Sequence, residues 1–92
     1  MKITNVVIRK MLNEERLKAI VSVTFDDMLV VHDIKVIEGE KGLFLAMPNK
    51  KFNESSYKDV VHPTNSEMRT MLETSVLEVF KQKLEEAEAT AE

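Results

Sequence analysis

The stretch that decides the fold is LKAIVSVTFDDMLVVHDIKVI, residues 17–37. It contains two runs rich in β-branched residues, residues 17–25 and residues 28–37, and side chains of alternating polarity mark the first run most clearly. Alternation with a period of two is typical of strands, and Asp26-Asp27 between the runs is typical of a turn. The predicted core face of the first strand carries Leu17, Ala19, Val21, Val23 and Phe25, and one face of the second carries Met28, Val30, His32, Ile34 and Val36.

The segments on either side extend this pattern into a sheet. Residues 2–12 alternate in the same way and are joined to the first run by the polar residues 13–16, which predicts a hairpin. Both glycines of the chain lie in residues 38–42, and the short apolar run of residues 43–47 ends at Pro48. With a further short strand around Tyr57–Val61, the sequence predicts an antiparallel meander of four to five strands.

A helix is predicted to follow His62-Pro63. Thr64 and Glu67 have the spacing of a capping box, and Asn65 or Ser66 offers an alternative cap. An apolar stripe follows at spacings of three and four, and Leu77 falls off it, which makes Leu77 a candidate for contact with a second subunit. The stripe consists of Met68, Met71, Leu72, Val76, Val79, Phe80 and Leu84.

The predicted fold class is therefore α+β, an antiparallel β-meander followed by a C-terminal amphipathic helix. Residues 1–84 are expected to form a single domain. Residues 85–92 are acidic and contain no large apolar side chain, so we expect a flexible tail there.

Charge and composition limit the possible functions. The 92 residues include 13 Lys and Arg against 16 Asp and Glu, a net charge of −3, but the acidity is concentrated after residue 72. The segment from Lys41 to Lys58 is locally positive, so the net charge does not exclude a nucleic-acid partner. The chain has no cysteine and no apolar run long enough to span a membrane, and we expect a cytoplasmic protein without disulfides.

The residue types needed for catalysis do not occur together. His32 and His62 are the only histidines, neither has a second histidine at helical ligand spacing, and two glycines are too few for a phosphate-binding fingerprint. We interpret His32 as a half-buried strand residue and His62 as a residue that closes a turn or helps to bind an anion. The sequence predicts no enzyme, no catalytic residue, no cofactor and no metal site.

One group of residues combines positive charge with aromatic rings. Lysine and arginine neutralise phosphates, helix N-termini present N–H donors to anions, and aromatic rings stack on unpaired bases. The group predicts a nucleic-acid-binding surface, and an ordinary solvated surface is the alternative. It consists of Lys50, Lys51, Phe52, Tyr57, Lys58 and Arg69.

Two blocks of sequence resemble one known family. VVHDIKVIEGEKGLFLAMPNKK, residues 30–51, and YKDVVHPTNSEMR, residues 57–69, resemble the SpoVG (stage V sporulation protein G) family, and the resemblance covers about residues 1–84. It implies a small cytoplasmic homodimer without catalytic activity or cofactor. It further implies a regulator of gene expression that binds DNA and RNA and affects septation or sporulation.

The resemblance also implies site residues. Lys50-Lys51 matches the basic pair after the AMP motif, and Arg69 matches a basic residue in the first turn of the helix. Lys10 and Lys58 match positions that are often basic in the family. The family commonly has arginine where this chain has Lys51, which replaces a bidentate fork by a point charge.

A second hypothesis comes from a different class of function. In it the protein is a non-enzymatic interaction factor of the cell-division or septation apparatus, and its sheet edge or acidic helix binds a protein partner. The lysines would then serve solubility only. Residues 51–59 and the acidic tail depart most from the family pattern, so no sequence preference for a nucleic acid is carried over.

Overall fold

In the described part of the chain, six strands precede one long helix, which confirms the α+β class, although four to five strands were predicted. The computed structural model describes residues 1–12 and 14–90, with side chains up to residue 86. Asn13, in the predicted connection of residues 13–16, lies outside the described residues. The elements are β1 (Ile3–Met11), β2 (Leu17–Phe25), β3 (Leu29–Gly39), β4 (Gly42–Ala46), β5 (Asn49–Asn53), β6 (Ser56–Asp59) and α1 (Ser66–Thr90).

The first four strands form one antiparallel sheet in chain order, β1-β2-β3-β4, which confirms the predicted meander. The turn between β2 and β3 has Asp26 and Asp27 at φ 52° and 54°, the positive φ values that a type I′ turn requires. The Met28 amide donates to the Phe25 carbonyl at 2.9 Å and closes this turn. Aspartate tolerates the left-handed region better than most residues, so the Asp-Asp pair suits the position.

Helix α1 covers one face of this sheet. The alternate residues of β2 predicted for the core are buried there, except for the half-buried Leu17, because a period of two places them on one face. The buried core consists of Ala19, Val21, Val23, Phe25, Ile34, Val36, Leu45, Met47, Leu72, Val76 and Phe80. The opposite face, here called the open face, carries Ser22, Val30 and Phe44.

The prediction of which β3 residues lie on the same face is wrong for the first half of the strand. Val21 pairs with Ile34 and Val23 pairs with Val31, so His32 and Asp33 together stand opposite Ser22. This β-bulge shifts the alternation by one residue, and Val31 rather than His32 packs against the core with Ile34. Asp33 has φ 61°, which accommodates the extra residue.

A hairpin that was only half predicted follows the meander. β5 and β6 form a separate two-stranded antiparallel sheet. The sequence predicted a strand near Tyr57–Val61, and the structure places β6 slightly earlier. The sequence did not indicate β5, because Asn49–Asn53 lacks both alternation and β-branched residues. Every residue of β5 is exposed.

Helix α1 begins at Ser66, and its cap is the second of the three candidates. The Asn65 side-chain oxygen accepts a hydrogen bond from the Met68 amide at 2.8 Å, the geometry of an N-cap. Leu72, Val76 and Phe80 of the predicted stripe are buried.

The ends of the stripe differ from the prediction. Leu77 packs against the core although it was expected to fall off the stripe, whereas Leu84 is 41% exposed. The helix continues to Thr90, so residues 85–90 of the predicted tail are helical, and residues 91–92 lie outside the described residues. The flexibility of the tail stays a prediction. No described helix is long and apolar enough to cross a membrane.

Candidate nucleic-acid interface

The β5–β6 hairpin brings three of the predicted lysines together. Lys50 pairs with Lys58 across the two strands, and Lys51 pairs with Tyr57. Residues directly opposite each other in an antiparallel pair lie on the same face, and like charges in such a position destabilise the pair. The hairpin therefore concentrates positive charge, although repulsion between Lys50 and Lys58 lowers its stability. This arrangement is expected of a surface that binds anions.

Two aromatic rings accompany these lysines at the surface. The Lys58 Nζ lies 4.2 Å from the centre of the Phe52 ring, a cation–π contact, and Phe52 is 67% exposed. Tyr57 is 65% exposed. Rings held at the surface beside cations offer faces on which unpaired bases stack.

The hairpin lysines have no acidic partner in the described part of the chain. Among the residues that the structure describes, the one ion pair joins Lys18 to Glu38 at 3.4 Å, and no carboxylate pairs with a hairpin lysine. A shallow cavity of about 380 Å³ lies against the hairpin. Its lining consists of Lys50, Lys51, Phe52, Lys58, Asp59 and Val60.

Both ends of the hairpin are fixed by hydrogen bonds. At the tip, the Asn53 side-chain oxygen accepts from the Ser55 amide at 3.0 Å, which forms an Asx turn. At the base, the Val60 amide donates to the Pro48 carbonyl at 2.7 Å. These contacts hold the two strands in register, so the backbone determines where Lys50, Lys51 and Lys58 are attached.

Arg69 and Lys10 lie elsewhere on the molecule. Arg69 is exposed in the first turn of α1, and Lys10 is exposed on β1 opposite Ile20. Within residues 1–12 and 14–86, no hydrogen bond, ion pair or ring contact joins either residue to the hairpin. Of the five predicted site residues, Lys50, Lys51 and Lys58 thus share one hairpin, with Lys50 and Lys58 on one face and Lys51 on the other.

The two histidines have different surroundings. His62 Nδ1 lies 3.0 Å from the Pro63 carbonyl, to which a ring N–H donates, and its role in a turn or in binding an anion stays a prediction. His32 is exposed and not half-buried, because the bulge in β3 places it on the open face. There its Nδ1 lies 2.8 Å from the Ser22 hydroxyl oxygen, and that oxygen accepts a hydrogen bond from Arg9 Nε. Arg9 was missed by the sequence reasoning, although its position beside Lys10 could have indicated it.

A cavity of about 590 Å³ lies at the start of α1; His62 is among its lining residues, and none of the hairpin lysines lines it. Its lining is mainly apolar and includes Phe25, Leu29, Met47 and Leu72. The described residues contain no cluster of three or more acidic or histidine side chains that could hold a metal ion. Charge and geometry therefore single out the hairpin rather than this cavity.

Comparison with known proteins agrees with the fold and with the motifs. The SpoVG family model matches residues 1–82. The chain is 52% identical over 92 residues to the "Putative septation protein SpoVG" of Clostridioides difficile, and the match covers the whole of both chains. It is 57% identical over 81 residues to the protein of the same name from Caldicellulosiruptor saccharolyticus, with 88% of this chain and 92% of the relative covered. The chain therefore belongs to the SpoVG family.

Proposed function

We propose that this protein is a non-enzymatic regulator that binds DNA or RNA through the β5–β6 hairpin. The observation that carries the proposal is the cross-strand pair of Lys50 and Lys58, with Lys51 next to Lys50 on the opposite face of the same hairpin. All three lysines are exposed and have no carboxylate partner in the described structure. Phosphate groups of a nucleic acid replace the missing counter-charges, and the release of condensed ions from the nucleic acid drives binding. Phe52 and Tyr57 add stacking surfaces for bases that are not paired.

The proposal includes a homodimer. One hairpin offers three cations on a chain whose net charge is −3, and a second copy doubles the number of phosphate contacts made by one particle. Linked sites raise the overall affinity well above that of one site, because the second contact is intramolecular. Arg69 and Lys10, which lie elsewhere on the molecule, would contribute separate phosphate contacts.

The names of the relatives refer to septation. We extend that role to this chain as part of the proposal: by binding nucleic acid, the protein regulates genes whose products act in septation or sporulation.

The test compares two variants of equal charge. Lys50→Gln/Lys51→Gln/Lys58→Gln removes the hairpin cations, and Lys41→Gln/Lys81→Gln/Lys83→Gln removes three exposed lysines elsewhere. Binding to a mixed-sequence RNA and to a DNA duplex is measured by fluorescence anisotropy across a salt series, with light scattering on the same samples. We expect the hairpin variant to lose about tenfold or more in affinity, with a salt dependence that is shallower by about two ions or more, because each lost phosphate contact removes nearly one released ion.

The control variant should stay near wild type. Equal losses in the two variants would show that only the total charge matters, and wild-type binding by a dimeric hairpin variant would contradict the proposal.

One structural observation favours the alternative, a protein-interaction factor of the division apparatus. β4 forms an edge of the four-stranded sheet, and Gly42–Ala46 contains no charged residue and no proline to block pairing with another strand. A partner that adds a strand there would be recovered from nuclease-treated extract by wild-type protein and lost with Leu43→Pro. Partners that disappear on nuclease treatment would instead support the nucleic-acid proposal.

A further inference from the structure

A second group of cationic side chains lies on the open face and is built differently from the hairpin. Ser22 is 3% exposed and is the one polar residue in the buried set of the described chain. Its hydroxyl accepts a hydrogen bond from Arg9 Nε at 3.1 Å and lies 2.8 Å from His32 Nδ1. Because both bonds share one oxygen atom, the two nitrogens are no more than about 6 Å apart.

Two β-bulges bring these side chains to Ser22. In the pairing of β1 with β2, Ile8 stands opposite Val21 and Lys10 opposite Ile20, which leaves Arg9 as the extra residue. In the pairing of β2 with β3, the extra residue arises at His32-Asp33. Bulges redirect side chains and are frequent beside functional sites, and here two of them flank one serine from both sides.

The backbone at the second bulge is strained. Asp33 has φ 61°, in the left-handed region that disfavours residues with a side chain, although aspartate tolerates it better than most. Strain of this kind persists only where the surrounding structure enforces it, and it concentrates at ligand-binding positions. At this position the strained residue directly follows the histidine that contacts Ser22.

The directions of these hydrogen bonds determine which groups of the Arg9–Ser22–His32 trio are free to bind a ligand. Arginine only donates, so Ser22 Oγ accepts from Arg9 Nε. The hydroxyl has a second lone pair, but its own proton has no described acceptor other than His32 Nδ1, so it donates to Nδ1. An Nδ1 that accepts a hydrogen bond carries no proton, so the ring proton is on Nε2, which is an N–H donor. The groups that remain free are the terminal NH₂ groups of Arg9 and the Nε2–H of His32, and all of them are donors.

Neighbouring charges favour an anion at this point. Arg9 and His32 are exposed, and no described ion pair occupies either. Lys10 and Lys35 both stand opposite Ile20, on the two strands that flank β2, and so lie on the same face. Asp33 is the acidic residue closest in sequence, and it makes no described ion pair with Arg9 or His32.

We propose that Arg9 and His32, held by the buried hydroxyl of Ser22, form an oxyanion-binding site that takes a phosphate group. Its source is either the backbone of a nucleic acid or free phosphate, since the two share the same oxygen acceptors. A guanidinium fork and an imidazole N–H match such a group with directed, charge-assisted bonds. The site lies in the four-stranded sheet and does not depend on nucleic-acid binding by the β5–β6 hairpin.

The first test is an NMR titration of the two histidine rings with inorganic phosphate replacing chloride at constant pH and ionic strength. We expect the His32 ring signals to shift and to saturate. His62 serves as an internal control, because its Nδ1 is bound to the Pro63 carbonyl and it has no contact with the trio. Equal, unsaturated shifts of both rings would show general ion screening and would overturn the proposal.

Variants then test the geometry. Arg9→Gln removes the guanidinium donor from an exposed position. Ser22→Ala removes the hydroxyl that orients the side chains of Arg9 and His32. Each should weaken phosphate binding by about tenfold or more, the loss expected for one charge-assisted hydrogen bond. Lys41→Gln removes one charge in the turn between β3 and β4 and should leave the titration unchanged. Because Arg9 is exposed, its variant keeps the test valid even if Ser22→Ala fails to fold.

A short mixed-sequence oligonucleotide distinguishes the two sources. A His32 shift at oligonucleotide concentrations far below those needed for phosphate, weakened by Arg9→Gln, identifies a backbone phosphate as the ligand. A response to inorganic phosphate alone identifies free phosphate. The hairpin variant Lys50→Gln/Lys51→Gln/Lys58→Gln should retain the phosphate response, so failure of the hairpin proposal and failure of this one are separable. No saturable response of His32 to either probe overturns the site.

Discussion

The β5–β6 hairpin and the open face of the four-stranded sheet both present cations, but they hold them in opposite ways. On the hairpin, Lys50 and Lys58 are neighbours through strand pairing alone, and no described hydrogen bond orients their ammonium groups. On the open face, Arg9 and His32 share one buried hydroxyl that fixes both side chains. The first arrangement suits binding through charge, which tolerates many sequences and weakens with salt, and the second suits directed recognition of a single group.

The sheet and the hairpin should also differ in how much they contribute to the free energy of unfolding, and this is the largest difference that we expect. Phe80 is 3% exposed in the core under the sheet, whereas Phe52 is 67% exposed on the hairpin. We expect Phe80→Ala to lower the free energy of unfolding by about 3–5 kcal/mol, because it leaves a cavity. Phe52→Ala should change it by less than about 0.5 kcal/mol, as surface substitutions usually do. Urea denaturation measures both, and a comparable loss from Phe52→Ala would mean that the hairpin is part of the core.

The start of α1, which follows the hairpin in the chain, gives a smaller effect. Asn65→Ala removes the acceptor of the Met68 amide and should lower the free energy of unfolding by about 1 kcal/mol. Thr64→Ala and Ser66→Ala alter the two other candidates named by the sequence and should change it by a few tenths of a kcal/mol at most. If Thr64→Ala instead caused the larger loss in the free energy of unfolding, the helix would be capped by the Thr64–Glu67 capping box.

Ser22→Ala tests the open face in the same measurement. Its hydroxyl is buried, but both of its partners are exposed and regain bonds to water when it is removed. We therefore expect a loss of about 1 kcal/mol, the net contribution of an ordinary hydrogen bond. A loss several times larger would indicate that the trio is chiefly structural, and no loss would indicate that it does not form in solution.

The smallest effect is expected on the hairpin, and its sign is reversed. Lys58→Gln relieves the repulsion from Lys50 and should raise the free energy of unfolding by a few tenths of a kcal/mol, although loss of the Phe52 contact offsets part of the gain. The same change should weaken binding to nucleic acid. Parallel thermal denaturation and anisotropy would separate the two effects, and a variant that is less stable yet binds normally would contradict the assignment of Lys58.

The sequence predicted those parts of the fold in which periodicity is uninterrupted. The alternation of Leu17–Phe25 identified the core face, and the spacing of Leu72, Val76 and Phe80 identified the buried side of α1. Each follows from a repeat that keeps one face turned to the core.

The rest depends on features that leave no periodic signal. A bulge shifts the phase of β3 at His32-Asp33, and nothing in the composition of that strand marks the position. β5 is fully exposed, so no apolar pattern was needed to build it. The grouping of Lys50, Lys51 and Lys58 was predicted from residue type and from the family resemblance, whereas the Arg9–Ser22–His32 trio required knowledge of which strands are neighbours.

The most direct test of the account is a map of backbone amide shifts in isotopically labelled protein titrated with a mixed-sequence oligonucleotide at low salt. We expect the largest shifts on residues 49–59, and we expect them to diminish as salt is added and to be lost in Lys50→Gln/Lys51→Gln/Lys58→Gln. Shifts confined to the β4 edge or to α1, with residues 49–59 unchanged, would contradict it.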